Sequence, residues 1–266
     1  MEMLQSGACA NCDRAIASPE QKFCPACGQV TPAHRIDWHF LGHELEHSVL
    51  HMDRGIFYSI KELMLRPGHL MRDYLDGRRG HQVKPLPLLM VMAAVVVILS
   101  EYLTGEGVVD SAVMAGAVGA AESGAGRPLD PALLAKASST AARLMDEYFA
   151  AFTLLLLPLE AAAFRLAFGR VGNLNYPEWL VITALLTVQA FVFWAVLLFL
   201  HWWIPQPATW AVLLSMVYAV FSLVQFFQAY PRWKSALRAL LGLAIFMAIN
   251  AMVAPLVGII AVLWMR

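Results

Sequence analysis

Apolar residues are distributed very unevenly along the chain. From residue 86 onward they run almost without interruption through five stretches, at about 86–103, 148–168, 178–201, 210–229 and 236–264. Each stretch is long enough to cross a hydrocarbon core of about 30 Å at 1.5 Å per residue. The pattern predicts five transmembrane helices. We expect the last and longest to tilt, kink or split at Asn250 or Pro255.

Before residue 85 the apolar positions recur with helical spacing between polar ones. Asp37 is a candidate N-cap for the first such pattern, Arg66-Pro67-Gly68 separates the second from the third, and Asp76-Gly77 ends the third. The three patterns cover about 37–52, 56–65 and 69–75. They predict amphipathic helices beside the membrane.

Composition places the chain among membrane proteins. The hydrophobic share of 59% exceeds that of soluble domains, and the charged share of 14% falls well below it. The formal net charge is zero, so no nucleic-acid partner is expected.

Four cysteines near the N-terminus form two C-x-x-C units, Cys9 with Cys12 and Cys24 with Cys27. This spacing is typical of a tetrahedral Zn²⁺ site built from thiolates, and we favour it over a redox-active pair or four unrelated thiols. A closed four-thiolate site leaves no open position for a substrate. We therefore expect a structural metal whose binding supplies most of the folding free energy of this segment.

Together these patterns predict an all-α polytopic membrane bundle of about five transmembrane helices with a small N-terminal zinc ribbon. The expected domains are a cytosolic four-cysteine zinc ribbon (1–32), cytosolic or juxtamembrane amphipathic helices (33–84), and a five-span transmembrane domain with an outer loop at 104–147 (85–266).

Basic residues predict the orientation of the bundle. Three segments that face one side of a five-span arrangement carry Arg66, Arg72, Arg78, Arg79 and Lys84, then Arg165 and Arg170, then Arg232, Lys234 and Arg238. Such clusters face the cytosol, which also keeps cysteines reduced, and Met1–Ala8 shows no signal-peptide pattern. We expect a cytosolic N-terminus and a C-terminus outside.

Aromatic residues are expected at both interfaces, with Trp202, Trp203 and Trp210 outside and Tyr176, Trp179, Tyr230 and Trp233 inside.

A second candidate metal site has the pattern H-E-x-x-H. His43, Glu44 and His47 match it, which in metalloproteases places two imidazoles beside a general base. However, His39, His43, His47 and His51 recur every four residues, which is typical of a solvated helix face. No clear third ligand follows, so we favour the solvated face and keep an adventitious or regulatory metal site and a protease as alternatives.

Polar residues beside and within the spans are further candidates. Arg66, Arg72, Arg78, Arg79 and Lys84 could bind anionic lipid head groups or serve only to set topology. Glu160, Gln189 and Asn250 lie inside predicted spans. Glu160 could line a proton, ion or lipid path, form a helix-to-helix hydrogen bond, or reach toward Arg165 or Arg238.

Several motifs resemble a bacterial family catalogued as a domain of unknown function, family 3667. They are Cys27-Gly28-Gln29; Arg66-Pro67-Gly68 followed by Arg72, Tyr74-Leu75, Gly77, Arg79 and Pro85; Leu157-Pro158-Leu159; and Tyr176-Pro177-Glu178. This chain departs from the family in having Trp179 where members often carry His, and in its H-E-x-x-H sequence. The resemblance implies a bacterial inner-membrane protein, with the C-terminus then in the periplasm, and no known activity.

These observations lead to three hypotheses about function. The leading one is a non-enzymatic binding, scaffold or regulatory protein whose ribbon docks a cytosolic protein or packs on its own bundle. A transporter or lipid-handling bundle that uses Glu160 is the second, and a zinc metalloprotease is the third. The expected partners are the lipid bilayer, anionic lipids and a cytosolic protein.

Overall fold

The computed structural model describes residues 7–18, 21–47, 55–105, 107–108, 140 and 142–264. In these ranges the chain is helical, and β-structure is limited to two isolated bridges, Ala8 with Ala15 and Phe23 with Val30. The named helices are α1 (Trp38–His47), α2 (Ile56–Leu65), α3 (Pro67–Leu75), α4 (Pro85–Thr104), α5 (Phe149–Phe168), α6 (Tyr176–Phe199), α7 (Pro207–Phe226) and α8 (Arg232–Trp264).

Among the residues that the structure describes, five helices are long and apolar enough to cross a membrane: α4, α5, α6, α7 and the Arg232–Met252 part of α8. This confirms the predicted fold class and the predicted number of spans. The boundaries differ from the predicted ones by a few residues, because prolines at 177 and 207 begin α6 and α7 earlier than the apolar run suggests. Helix α8 runs unbroken through Asn250 and Pro255, so the last stretch does not split.

Helix α6 is the centre of the bundle. It packs against α4, α5 and α7, and α8 packs against α5 and α7. As a result 61% of an 18-residue apolar window of α6 is buried, against 17% of the corresponding window of α8. Helices α4, α6 and α8 begin, and α5 and α7 end, on the side that contacts residues 29–36. We call this side the ribbon end.

The central position of α6 overturns one expectation. Trp179 was expected at the membrane interface, but it is fully buried in the first turn of α6. Its ring lies parallel to that of Phe164 at 6.4 Å and also contacts Phe168 and Phe227. Side chains of α5 and of the residue that follows α7 cover even the end of α6, so the indole is a core side chain.

Helices α2 and α3 form a tight hairpin, with only Arg66 between them. The backbone of Arg66 (φ −140°, ψ 59°) leaves the helical region, which a residue before proline avoids, and Pro67 starts a new helix. The turn presses against α7, where the N–H of Gly68 donates to the side chain of Gln225 at 2.8 Å. Residues 55–77 are called the hairpin below.

The close approach at Gly68 leads to a testable prediction. A Cβ at this position would lie 2.3 Å from the backbone nitrogen of Phe226, so Gly68→Ala must push α3 away from α7. We expect a loss of about 1–3 kcal/mol, the usual cost of overpacking, seen as a lower unfolding temperature in detergent.

Gly42→Ala is the matched control, because Gly42 also lies in a helix and an added Cβ there meets nothing within 4 Å. It should be neutral or slightly stabilising, since Ala is favoured over Gly in helices by roughly 0.5–1 kcal/mol. Equal unfolding temperatures for the two variants would contradict the packing of α3 on α7.

Candidate metal centre and its docking on the bundle

The two C-x-x-C units adopt the same backbone conformation. The N–H groups of Cys9 and Cys24 each donate to a carbonyl five residues later, that of Arg14 (2.9 Å) and that of Gln29 (2.8 Å). A residue with positive φ follows each unit, Asp13 (57°) and Gly28 (74°). This turn points both cysteines of a unit toward one point, and glycine adopts such a φ without steric cost.

The four sulfurs converge as a metal site requires. Cys9 Sγ lies 3.6 Å from Cys27 Sγ, and Cys12 Sγ lies 3.6 Å from Cys24 Sγ. All four sulfurs lie within 4.8 Å of one another. A tetrahedral ion with metal–sulfur bonds of about 2.3 Å would separate its ligands by about 3.8 Å. The four cysteines can therefore hold one metal ion.

Without a cation two of the thiols, those of Cys12 and Cys24, hold their protons unequally. Backbone N–H groups of Ala26 and Cys27 lower the pKa of Cys24 from 9.0 to about 6. A backbone hydrogen bond from Arg14 acts in the same direction on Cys12, but burial and hydrogen bonds to the other sulfurs outweigh it and raise the pKa of Cys12 to about 12. A divalent cation binds the cysteines as thiolates and offsets their negative charge, so the difference between the two pKa values no longer matters.

The side-chain amide of Gln29 joins the metal centre to the end of the hairpin. Gln29 lies two residues after Cys27, and its side chain is buried. It donates to the carbonyl of Gly77 at 2.7 Å and accepts from the backbone N–H of Arg79 at 2.9 Å. Both groups follow directly after α3, so the metal centre and the end of the hairpin hold each other in place.

Arg79 strengthens the same junction. Its guanidinium donates to the carbonyls of Tyr74 (2.9 Å) and His34 (3.2 Å). It also lies over the rings of Phe40 (4.5 Å) and Tyr74 (5.1 Å), where cation–π attraction adds to the packing. Arg79 therefore connects α3, the segment after the metal centre and α1.

The segment after the metal centre also binds the central helix. Arg35 donates to both carboxylate oxygens of Glu178, at 2.6 and 3.0 Å. Glu178 lies in the first turn of α6 and forms a capping box with Asn175, whose Nδ2 donates to the carbonyl of Ile36 at 2.8 Å. Arg35 was not singled out from the sequence, because nothing near it in the chain reveals a partner 143 residues away.

The other basic candidates lie in the hairpin or in the segment that follows it. Arg66 pairs with Glu62, and Arg78 lies 3.6 Å from Asp73. Arg72 donates to Gln228 at 3.1 Å and lies over the ring of Phe226. Lys84 precedes the first residue of α4. The structure thus places all of them close to the hairpin but does not gather them into one cluster.

The polar candidates within the spans make hydrogen bonds. Thr187 of α6 donates to Glu160 of α5 at 3.1 Å, which is the helix-to-helix bond among the three alternatives for Glu160. Arg238 instead donates to the carbonyl of Phe168. Gln189 donates to the carbonyl of Leu63 and accepts from Ser222. Asn250 donates to Phe246 within its own helix at 3.0 Å.

The H-E-x-x-H residues are only partly described. The backbone of α1 confirms that residues 43–47 are helical, and Asp37 caps this helix by accepting from the N–H of Phe40 at 2.8 Å. The side chains of His43, Glu44 and His47 lie outside the described part of the chain, as does His51.

Comparison with known families gives a match over part of the chain. A profile described as "Protein of unknown function (DUF3667)" matches residues 53–97, which include the hairpin and most of α4. The match confirms the resemblance seen in the Arg66–Pro85 motif. Comparisons with curated proteins and with solved structures find no significant match.

The four-thiolate site leads to a prediction about metal content when one ligand is removed. Cys24→Ser should reduce bound metal from one ion per chain to a small fraction, because the remaining three sulfurs leave one position open to water and competing ligands. Elemental analysis of purified protein measures this. Lys22→Ala, which changes an exposed side chain between the two units, should keep its metal. Equal metal content in both variants would contradict the site.

Proposed function

We propose that this member of the DUF3667 family is a non-enzymatic inner-membrane protein of regulatory or scaffold type, in which a cytosolic zinc ribbon clamps the hairpin onto the bundle. The observation that carries the proposal is the buried Gln29 amide, which bonds to both backbone groups that follow α3. Metal at Cys9, Cys12, Cys24 and Cys27 would hold Gln29 in position. Loss of the metal would release the hairpin.

Zinc is the ion that the four ligands favour. Four thiolates in tetrahedral arrangement are typical of structural Zn²⁺ sites. In the described part of the metal segment few apolar side chains are buried, so metal coordination would supply most of the stability of its fold. A site closed by four cysteines leaves no coordination position for a substrate, which supports a structural role.

The charge distribution supports a cytosolic ribbon end. Arg72, Arg78, Arg165, Arg170, Arg232, Lys234 and Arg238 all lie on the side where the metal centre docks. An excess of Lys and Arg in short loops marks the cytosolic side, and thiolate ligands require a reducing compartment. With five spans the C-terminus would then lie in the periplasm of a bacterial cell.

The exposed side chains of Phe23 and Val30 would give the ribbon a surface that a cytosolic protein could bind.

Hydrogen exchange tests the clamp. In reconstituted full-length protein, removal of the metal by a chelator should speed amide exchange in residues 67–79 at least tenfold, because the Gln29 bonds no longer hold the end of α3. Exchange in α6 beyond its first turns should change little. Unchanged exchange in 67–79 after verified metal loss would overturn the proposal.

A variant separates metal binding from clamping. Gln29→Leu should retain one metal per chain but show fast exchange in residues 67–79 with or without metal, because the Gly77 carbonyl and the Arg79 N–H lose their partner. Gln21→Leu, which changes an amide bonded only within the metal segment, is the matched control and should still respond to metal. If Gln29→Leu also responds, the coupling does not pass through this amide.

A lipid-handling or transport role is the second candidate, and the bond between Glu160 and Thr187 favours it. An ionisable group between two apolar helices is expensive and is often functional. Under this hypothesis Glu160→Gln, which keeps the hydrogen bond to Thr187, should abolish ion or lipid flux in reconstituted vesicles while the unfolding temperature stays unchanged. Unaltered flux in the Gln variant would leave Glu160 with a structural role only.

A further inference from the structure

The hairpin enters the bundle instead of lying on its surface. Both of its ends are at the ribbon end, since Ser59 of α2 accepts from the N–H of Val83 just before α4 begins, and Gly77 is bonded to Gln29. From Ser59, α2 continues for six residues toward the turn, about 9 Å at 1.5 Å per residue.

The C-terminal end of α2 meets the middle of two spanning helices, whereas Gly68 at the start of α3 lies against Gln225 and Phe226 at the end of α7. Gln189, which donates to the carbonyl of Leu63, is the fourteenth of the 24 residues of α6. Tyr218, which donates to the carbonyl of Met64, is the twelfth of the 20 residues of α7. Two side chains from the spans thus satisfy the last carbonyls of α2. This is what a helix end requires at a depth where lipid offers no hydrogen bonds.

The outward face of α2 alternates between apolar and basic side chains. Phe57, Lys61 and Leu65 follow one another at intervals of one helical turn. Phe57 is 90% exposed and Leu65 is 62% exposed, and Lys61 is also exposed. Helix α2 runs alongside the spanning helices and exposes two large apolar side chains. Contact with lipid acyl chains suits these side chains better than contact with water.

The basic groups on this face can reach the head-group level. Side chains on a helix lean toward its N-terminus, which for α2 is the ribbon end. Lys61 can therefore extend its ammonium toward the membrane surface while its methylene groups cover α2. Arg66 turns back in the same direction to Glu62, with which it makes a hydrogen bond of 3.0 Å. That pair neutralises Arg66, so Lys61 supplies the net positive charge of the stripe.

From this placement we propose that the hairpin is a re-entrant element and that the stripe Phe57–Lys61–Leu65 is a docking surface for an anionic phospholipid of the leaflet at the ribbon end. Acyl chains lie against Phe57 and Leu65, and the head-group phosphate pairs with Lys61. The family profile covers this whole element, whereas the metal centre lies outside it. The proposal does not depend on the metal clamp, because the stripe lies on α2, whereas Gln29 bonds to residues that follow α3.

Photo-crosslinking tests the docking surface. Full-length protein carrying p-benzoyl-phenylalanine at position 57 or 65 is reconstituted in vesicles of equal parts phosphatidylcholine and phosphatidylglycerol, irradiated, and weighed by intact-mass spectrometry. Lipid adducts are expected at both positions. The same label at Phe23, an exposed aromatic of the metal segment, should give little or no lipid adduct. Absence of lipid adducts at position 65, or adducts to a second protein copy there, would overturn the proposal.

The composition of the adducts tests the role of Lys61. In the position-65 protein, Lys61→Gln should lower the ratio of phosphatidylglycerol to phosphatidylcholine adducts by about fivefold, as expected for one basic residue near a membrane surface. Lys22→Gln in the metal segment is the matched control and should leave the ratio unchanged. If Lys61→Gln leaves it unchanged as well, the stripe does not select an anionic lipid.

Discussion

The carboxylate of Glu178 is the group on which the ribbon end of this protein depends. It is buried in the first turn of the central helix α6, where it accepts from Arg35 and from the backbone of Asn175. A buried charge without a partner costs several kcal/mol. Helix α6 therefore requires the N-terminal segment to stay docked, and the metal centre, which lies a few residues before Arg35, stays with it.

A second constraint governs the hairpin. Its turn has non-helical backbone at Arg66, and such backbone is tolerated among membrane spans only where the protein satisfies its polar groups. Gln189, Tyr218 and Gln225 do so, and each comes from a helix whose other residues are almost all apolar. These polar side chains in the spans thus have a common structural role, because together they accommodate a short element that enters from the ribbon end.

Much of this architecture could be predicted from the sequence because its signals are local. Long apolar runs give the spans, two C-x-x-C units give the metal site, and Arg66-Pro67-Gly68 gives the break between α2 and α3. The direction of the hairpin could not be predicted, since an amphipathic pattern is the same on the membrane surface and inside a bundle. The pair of Arg35 with Glu178 depends on contacts far apart in sequence, and Trp179 looks like an interface residue until the central place of α6 is known.

The most direct test of this account is a double-mutant cycle on Arg35 and Glu178 in the metal-loaded protein, with Arg35→Gln, Glu178→Gln and the double variant compared by equilibrium unfolding in detergent. The account predicts a coupling free energy of about 0.5–3 kcal/mol, as found for residues in contact, and its loss after the metal is removed. Additive effects of the two substitutions in the metal-loaded protein would show that the N-terminal segment does not dock on the central helix.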